Sequence, residues 1–158
     1  MVRRILLWGL GPLAVIVVLM LEMPMALGKT VTLFSEISAT LVDEGGNPQP
    51  GIKIERWWRQ STEGDGETDT ATTDANGAFH FPAITYDSTW AGILPGTPAI
   101  KQRIVAHGPD GEVRLWFGVK TSFDENSETG GKPAKLVCRI DQAPNADGPV
   151  FGTCRLVE

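Results

Sequence analysis

The sequence is poor in the residues that most chemistry needs. It has two histidines and two cysteines, and no Lys/Arg run exceeds two neighbours. A nucleic-acid surface needs a concentrated positive field, so nucleic acid is excluded as a partner class. There is no G-x-S-x-G nucleophile elbow, no H-E-x-x-H and no phosphate-cradling glycine loop. Cys138 and Cys154 are too far apart in sequence for a zinc motif, and His80 and His107 do not complete one. Carboxylates are plentiful, but no spacing rule selects a glycosidase pair among them. The reading is of a protein with no catalytic residues, no metal ligands and no cofactor. Beyond residue 28 no stretch carries sustained helical periodicity.

What is present divides into two regimes. "MVRRILLWGLGPLAVIVVLMLEMPMALG" opens with Arg3 and Arg4, continues as an uncharged, mostly apolar run of 17 residues from Ile5 to Leu21, and ends with Ala26 and Gly28. That is the order of a secretory signal cleaved before Lys29. The run is also at the short limit for an uncleaved anchor in the inner membrane. In both cases the arginines stay in the cytoplasm and residues 29–158 go out, so the expected location is periplasmic, secreted or membrane-anchored. A start at Met25 would instead make a cytosolic chain. The arginine pair also weakly suggests a twin-arginine signal. Without Arg3, Arg4 and Glu22, the 14 basic and 19 acidic residues fall to 12 and 18, a formal charge of −6.

Residues 29–158 read as about seven short strands separated by turn clusters, an all-β fold expected to be a single antiparallel sandwich preceded by the N-terminal hydrophobic helix. Ile37, Ala39 and Leu41 alternate with polar neighbours, and Ile52 and Ile54 do so after a Gly/Pro break. "AFHFPAI" is a strand that Pro82 limits to an edge or an end, with His80 facing away from Phe79 and Phe81. "IKQRIVAH" and "EVRLWFGVK" form a hairpin around "GPDG". "AKLVCRIDQ" and "PVFGTCRLV" form a final pair. Opposing Cys138 and Cys154 sets Leu136 against Leu156 and Asp141 against Phe151, and the directly opposed cysteines can form a disulfide in an oxidising compartment. Ser61 to Asp74, "STEGDGETDTATTD", is acidic and aperiodic and reads as a mobile loop.

"TTDANGAFHFPAI" has two readings. Asp74, Asn76 and Gly77 have calcium-loop spacing, but with Gly77 at position six Thr72 stands where Asp is needed and Ala83 where Glu is needed. Asn-Gly followed at once by an alternating strand is the signal of a structural, hairpin-type turn. In context the stretch resembles the carboxypeptidase regulatory-like, or transthyretin-like, β-sandwich. Gly46, Pro48 and Gly51 approximate that family's first turn, and Thr73, Asp74, Gly77, Phe79 and Phe81 its T-D-x-x-G-x-F-x-F element. The likeness covers Ser35 to Ile84. With "TLFSEISATL" and "GILPGTPAIKQRI", the chain is also similar to a family of small bacterial proteins with this sandwich. The resemblance implies a fold whose turn residues shape the core and do not catalyse. The transthyretin-like fold includes a small hydrolase, but its C-terminal tyrosine-arginine-glycine-serine motif is replaced here by "GTCRLVE".

The candidate binding surface is aromatic and charged. Trp57 and Trp58 are neighbours on a strand and point to opposite faces, so one is outward. With Trp90 it would form a patch for a protein or a glycan of the cell envelope. Arg56 and Arg59 flank the pair, and Glu63, Asp65, Glu67 and Asp69 follow it in a loop whose charges solvate a flexible connection or, alternatively, offer an anionic face to a basic partner. The leading expectation is a non-catalytic envelope interaction module. An immunity-type protein that neutralises a secreted, type VI-like toxin and a small hydrolase are the alternatives.

Overall fold

In the computed structural model, residues 28–60, 64–89 and 97–157 are described. The signal or anchor segment, apart from Gly28, lies outside them, as do Glu63 and Trp90. The described residues form eleven strands: β1 (Lys29–Phe34), β2 (Ile37–Val42), β3 (Lys53–Arg59), β4 (Glu67–Thr72), β5 (Ala78–Phe81), β6 (Ile84–Ser88), β7 (Ile100–Gly108), β8 (Gly111–Lys120), β9 (Ala134–Arg139), β10 (Phe151–Gly152) and β11 (Cys154–Leu156). One 3-10 turn spans Ser127–Thr129, and no described helix is long and apolar enough to cross a membrane.

The strands make three sheets: β1-β6, β10-β8-β7-β3-β4 and β11-β9-β2-β5. The fold is all-β, as expected, with more strands than expected. The antiparallel expectation fails at one pair, since β2 and β9 run parallel from Ile37↔Ala134 to Val42↔Arg139. Alternation along a strand shows which side chains turn inward, but it says nothing about the direction of the neighbour.

The core is continuous between the sheets. Ile37, Ala39 and Leu41 of β2, Phe79 and Phe81 of β5, and Leu136 and Cys138 of β9 meet Ile54 and Trp58 of β3, Ile104 and Ala106 of β7, and Trp116 of β8. The small β1-β6 sheet adds Val31, Leu33 and Phe34, and the Phe34 ring lies 6.2 Å from that of Trp116. β5 ends at Phe81, before Pro82, on the edge of its sheet.

Two connections correct the sequence reading. The "TDANG" turn joins β4 and β5, which belong to different sheets, so it is a corner between sheets and not a hairpin turn. Asp74 Oδ1 accepts from the Asn76 and Ala78 N–H groups at 2.8 and 2.9 Å, and Gly77 N–H donates to the Asp74 carbonyl at 2.9 Å. Gly77 has φ +70°, and a Cβ there would sit 2.4 Å from the Leu41 carbonyl oxygen.

The second correction is at the C-terminus. Phe151 pairs with Phe117 of β8 and not with Asp141. The chain then crosses to the other sheet at Thr153, where Cys154 lies opposite Cys138 and Leu156 opposite Leu136. The Cys138–Cys154 disulfide is formed, across Cα atoms 3.9 Å apart. It fastens the strand that has just changed sheets.

Candidate interaction surface

The residues expected to share one surface are divided between the two faces of one sheet. Within β3, Ile54, Arg56 and Trp58 are buried, and Lys53, Glu55, Trp57 and Arg59 point outward. Arg56, expected on the surface, is fully buried. Its Nε and Nη2 donate to the two carboxylate oxygens of Asp69 at 3.0 and 2.5 Å, and Nη1 donates to the Pro82 carbonyl at 2.7 Å. The guanidinium carbon also lies 4.6 to 5.4 Å from the ring centroids of Phe81, Phe34 and Trp58. Parity with Ile54 and Trp58 turns Arg56 inward. The bidentate carboxylate and stacked rings offset the desolvation of its charge.

The acidic stretch is likewise not a loop throughout. Glu67 to Thr72 is strand β4, paired with β3 from Trp58↔Glu67 to Lys53↔Thr72. Register places Glu67 and Asp69 on the inner side with Trp58 and Arg56, and Thr68, Thr70 and Thr72 on the outer side with Trp57. Asp69 is engaged by Arg56 and Glu67 shares its side of the strand, so of the described acids of the expected patch Asp65 alone stays beside Trp57, where its carbonyl accepts from the indole. The three threonines of β4 carry the β propensity that composition hid.

Trp57 is half-buried on the outer face. Its Nε1 donates to the Asp65 carbonyl at 2.9 Å. Gly66, at φ +82°, presses on the ring, and a Cβ there would lie 2.6 Å from Nε1. The guanidinium carbons of Arg59 and Arg103 lie 5.6 and 5.4 Å from the indole. Trp57 therefore serves as a rigid base on which two arginines are stacked.

From this base an unbroken row crosses the five-stranded sheet. Thr68 is opposite Trp57, Trp57 opposite Arg103, Arg103 opposite Phe117, and Phe117 opposite Phe151. The next outward row holds Arg59, Lys101 and Val119, and the row on the other side holds Glu55, Val105 and Arg114. Phe117, Val119 and Phe151 are 41, 52 and 40% exposed, which makes them three of the five large apolar side chains that the described residues expose. Arg114 stacks on Phe117 at 5.3 Å. The sequence reading missed Lys101, Arg103, Arg114, Phe117, Val119 and Phe151. Alternation in the β7–β8 hairpin would have put most of them on one face, but only the β3–β7 pairing joins that face to Trp57.

Charge sharpens this face. Among the described residues, six cations make no ion pair with a carboxylate, and four of them, Lys53, Arg59, Lys101 and Arg114, are here. Its anions are engaged at the far end: Glu55 faces Arg103 and His107 at 3.7 Å each, and Glu112 faces His107 at 3.3 Å. A chain of net charge −5 thus presents a locally cationic, partly apolar surface.

Two other polar clusters have different characters. Lys120, buried, donates to Glu128 Oε2 at 2.5 Å, the Asp124 carbonyl at 2.6 Å and Ser35 Oγ at 3.3 Å. Burial pushes the Glu128 carboxyl up, but the Lys120 hydrogen bond and charge and the Ser35 N–H outweigh it and hold the group below its ordinary value. Every partner is satisfied, which suits a lock between β8 and the loop that follows it. On the outer face of the four-stranded sheet, Ser38 Oγ is 3.3 Å from His80 Nδ1, and Glu36 Oε1 is 4.0 Å from the same nitrogen. A nucleophile–base–orienter relay needs its two partners on opposite nitrogens, so this pair does not have that geometry.

The family model described as a domain of unknown function (DUF6795) matches residues 37–143, from the start of β2 to just beyond β9. The chain belongs to that family. No curated protein matches the chain. A solved structure, a 9R-lipoxygenase from Cyanothece PCC8801, aligns with 68% of this chain at 18% identity and a TM-score of 0.28. The alignment spans 16% of the lipoxygenase's own length, and at that score it carries no argument.

Proposed function

We propose that this member of the DUF6795 family is a non-catalytic interaction module of the cell envelope. In this reading it is a β-sandwich of the carboxypeptidase regulatory-like kind that binds its partner through the outer face of the five-stranded sheet. The observation that carries the reading is the row Trp57–Arg103–Phe117–Phe151, in which stacked arginines and exposed rings lie together on a rigid sheet. Aromatic and arginine side chains of this kind anchor protein interfaces. The disulfide supports export to an oxidising compartment. The signal-type order of residues 1–28 supports the same location. The immunity reading rested on an anionic loop for a basic toxin. With Asp69 held by Arg56, the face favours an acidic partner instead.

The test is a paired capture from lysate of the producing cells, with the full oxidised chain as bait. Wild type is compared with the double variant Lys101→Glu/Arg114→Glu and with Lys135→Glu on the other sheet. A stoichiometric partner kept by wild type and Lys135→Glu, and lost by the double variant, is the expected result. A partner held equally by all three would move the binding surface elsewhere.

A further inference from the structure

We infer that the occupant of this face is an acidic polypeptide segment that, when extended, carries a carboxylate and an apolar side chain two residues apart on the same side of its chain. The inference rests on the binding-face reading above and adds the class of partner. Phe117, Val119 and Phe151 form an apolar corner, and Arg103, Arg114 and Lys101 border it through direct cross-strand neighbours and same-strand i, i±2 or i±3 neighbours. Directly opposed side chains on a sheet are about 5 Å apart, and alternate residues of one strand about 6.8 Å. Phe117 and Val119 are therefore one such step from Arg103 and Lys101, and Phe151, opposite Phe117, is one step further out. An extended chain has the same period, about 6.8 Å between alternate residues, and can offer a carboxylate to a cation and an apolar side chain to its apolar neighbour.

The rim chemistry selects carboxylates. Arg114 is stacked on Phe117 and makes no ion pair among the described residues, so its N–H edge remains available for a fork-like contact with a carboxylate. Lys101 has no described ion pair either. The same geometry argues against a sugar platform. Stacking on a pyranose ring needs a bare aromatic face, and the indole of Trp57 already carries Arg59, Arg103 and the backbone at Gly66. An apolar centre inside a polar, charged rim is the anatomy of a protein–protein contact.

The experiment measures binding of the full oxidised chain to a random copolymer of glutamate and tyrosine by biolayer interferometry. Poly-glutamate, polygalacturonate and phosphatidylglycerol vesicles are run beside it, each at low and high salt. The copolymer should bind about tenfold more tightly than poly-glutamate, since one such contact of about 1.4 kcal/mol is a factor of ten. Arg114→Ala and Phe117→Ser should each weaken it about tenfold with unchanged melting temperature, Lys135→Ala should not, and salt should weaken it throughout. Tighter binding to polygalacturonate or to the vesicles, lost in Arg114→Ala, would overturn the partner class and leave the face standing. Equal loss in Lys135→Ala, or no binding to the copolymer, would overturn the inference. The lysate comparison would still judge the face independently.

Discussion

Arg56 and Arg114 are both arginines on the five-stranded sheet, both stacked on aromatic rings, and they do opposite things. Arg56 lies on the inner face, closed in by three rings, a bidentate carboxylate and a backbone carbonyl. Arg114 lies on the outer face with one ring beneath it. The inner site is complete within the chain, so its value is structural. The outer site is incomplete within the described residues, and on the proposed reading its value is in what it can receive. A guanidinium on a ring is therefore no signature of binding. What distinguishes the two is whether the hydrogen-bonding edge is already engaged.

The largest effect should come from breaking the inner member. Arg56→Ala leaves Asp69 and the Pro82 carbonyl without their partner and should cost about 3–5 kcal/mol in a urea denaturation curve. Arg56→Met with Asp69→Leu sharpens the point. With both charges removed and the volume kept, most of that loss should return. If the double variant were as unstable as the single one, the arginine would be acting through shape and not through its charge.

The Lys120–Glu128 lock should come next. Glu128→Gln leaves a buried ammonium without its counter-charge, and a loss of about 3 kcal/mol near neutral pH is expected. Because the folded-state pKa of Glu128 is depressed, the unfolded chain binds the proton more tightly. The stabilisation is therefore full above the ordinary glutamate value of 4.5 and is lost as pH falls through the folded value. Melting temperatures of wild type and Glu128→Gln should converge as the pH is lowered; a constant gap would show that the lock works by packing alone.

The disulfide should contribute a comparable or slightly smaller amount. Its cysteines are 16 positions apart, and closing a loop of that size is worth about 3 kcal/mol in the chain-entropy view. Cys154→Ser should lower the denaturation midpoint accordingly, and added reductant should do the same to wild type but not to the variant. The smallest effect on stability belongs to the outer face. Arg114→Ala should shift stability by no more than about 0.5 kcal/mol, although it is the variant expected to matter most for binding. A large loss of stability there would erase the distinction between the two arginines.

Much of this fold was legible residue by residue. The alternation in "AFHF" placed His80 outward and both phenylalanines inward. The opposition of Cys138 and Cys154 followed from centring a strand pair, and it held to Leu136↔Leu156. It failed one step further, at Phe151, because a strand can leave its sheet within a residue and periodicity carries no mark of the crossing. Asp69 was misplaced because a strand rich in threonine and acid has no apolar rhythm. Arg56 could have been read correctly, since it shares parity with Ile54 and Trp58. Its charge obscured that, because a buried arginine is uncommon unless partnered and the partner is 13 residues away.

By itself the sequence determined the all-β character, the inward and outward side of most strands, the opposition of the two cysteines and the lack of a recognisable catalytic motif. All of these are local or depend on a period of two. Beyond the β7–β8 hairpin and the β9–β11 pair, which were legible in the sequence, tertiary structure decided which strands became neighbours, and hence that Arg103 and Phe117 lie in line with Trp57 while Asp69 does not. Pairing is a contact between distant segments, chosen by the packing of the whole core, and a strand's own pattern names its faces but not its partners.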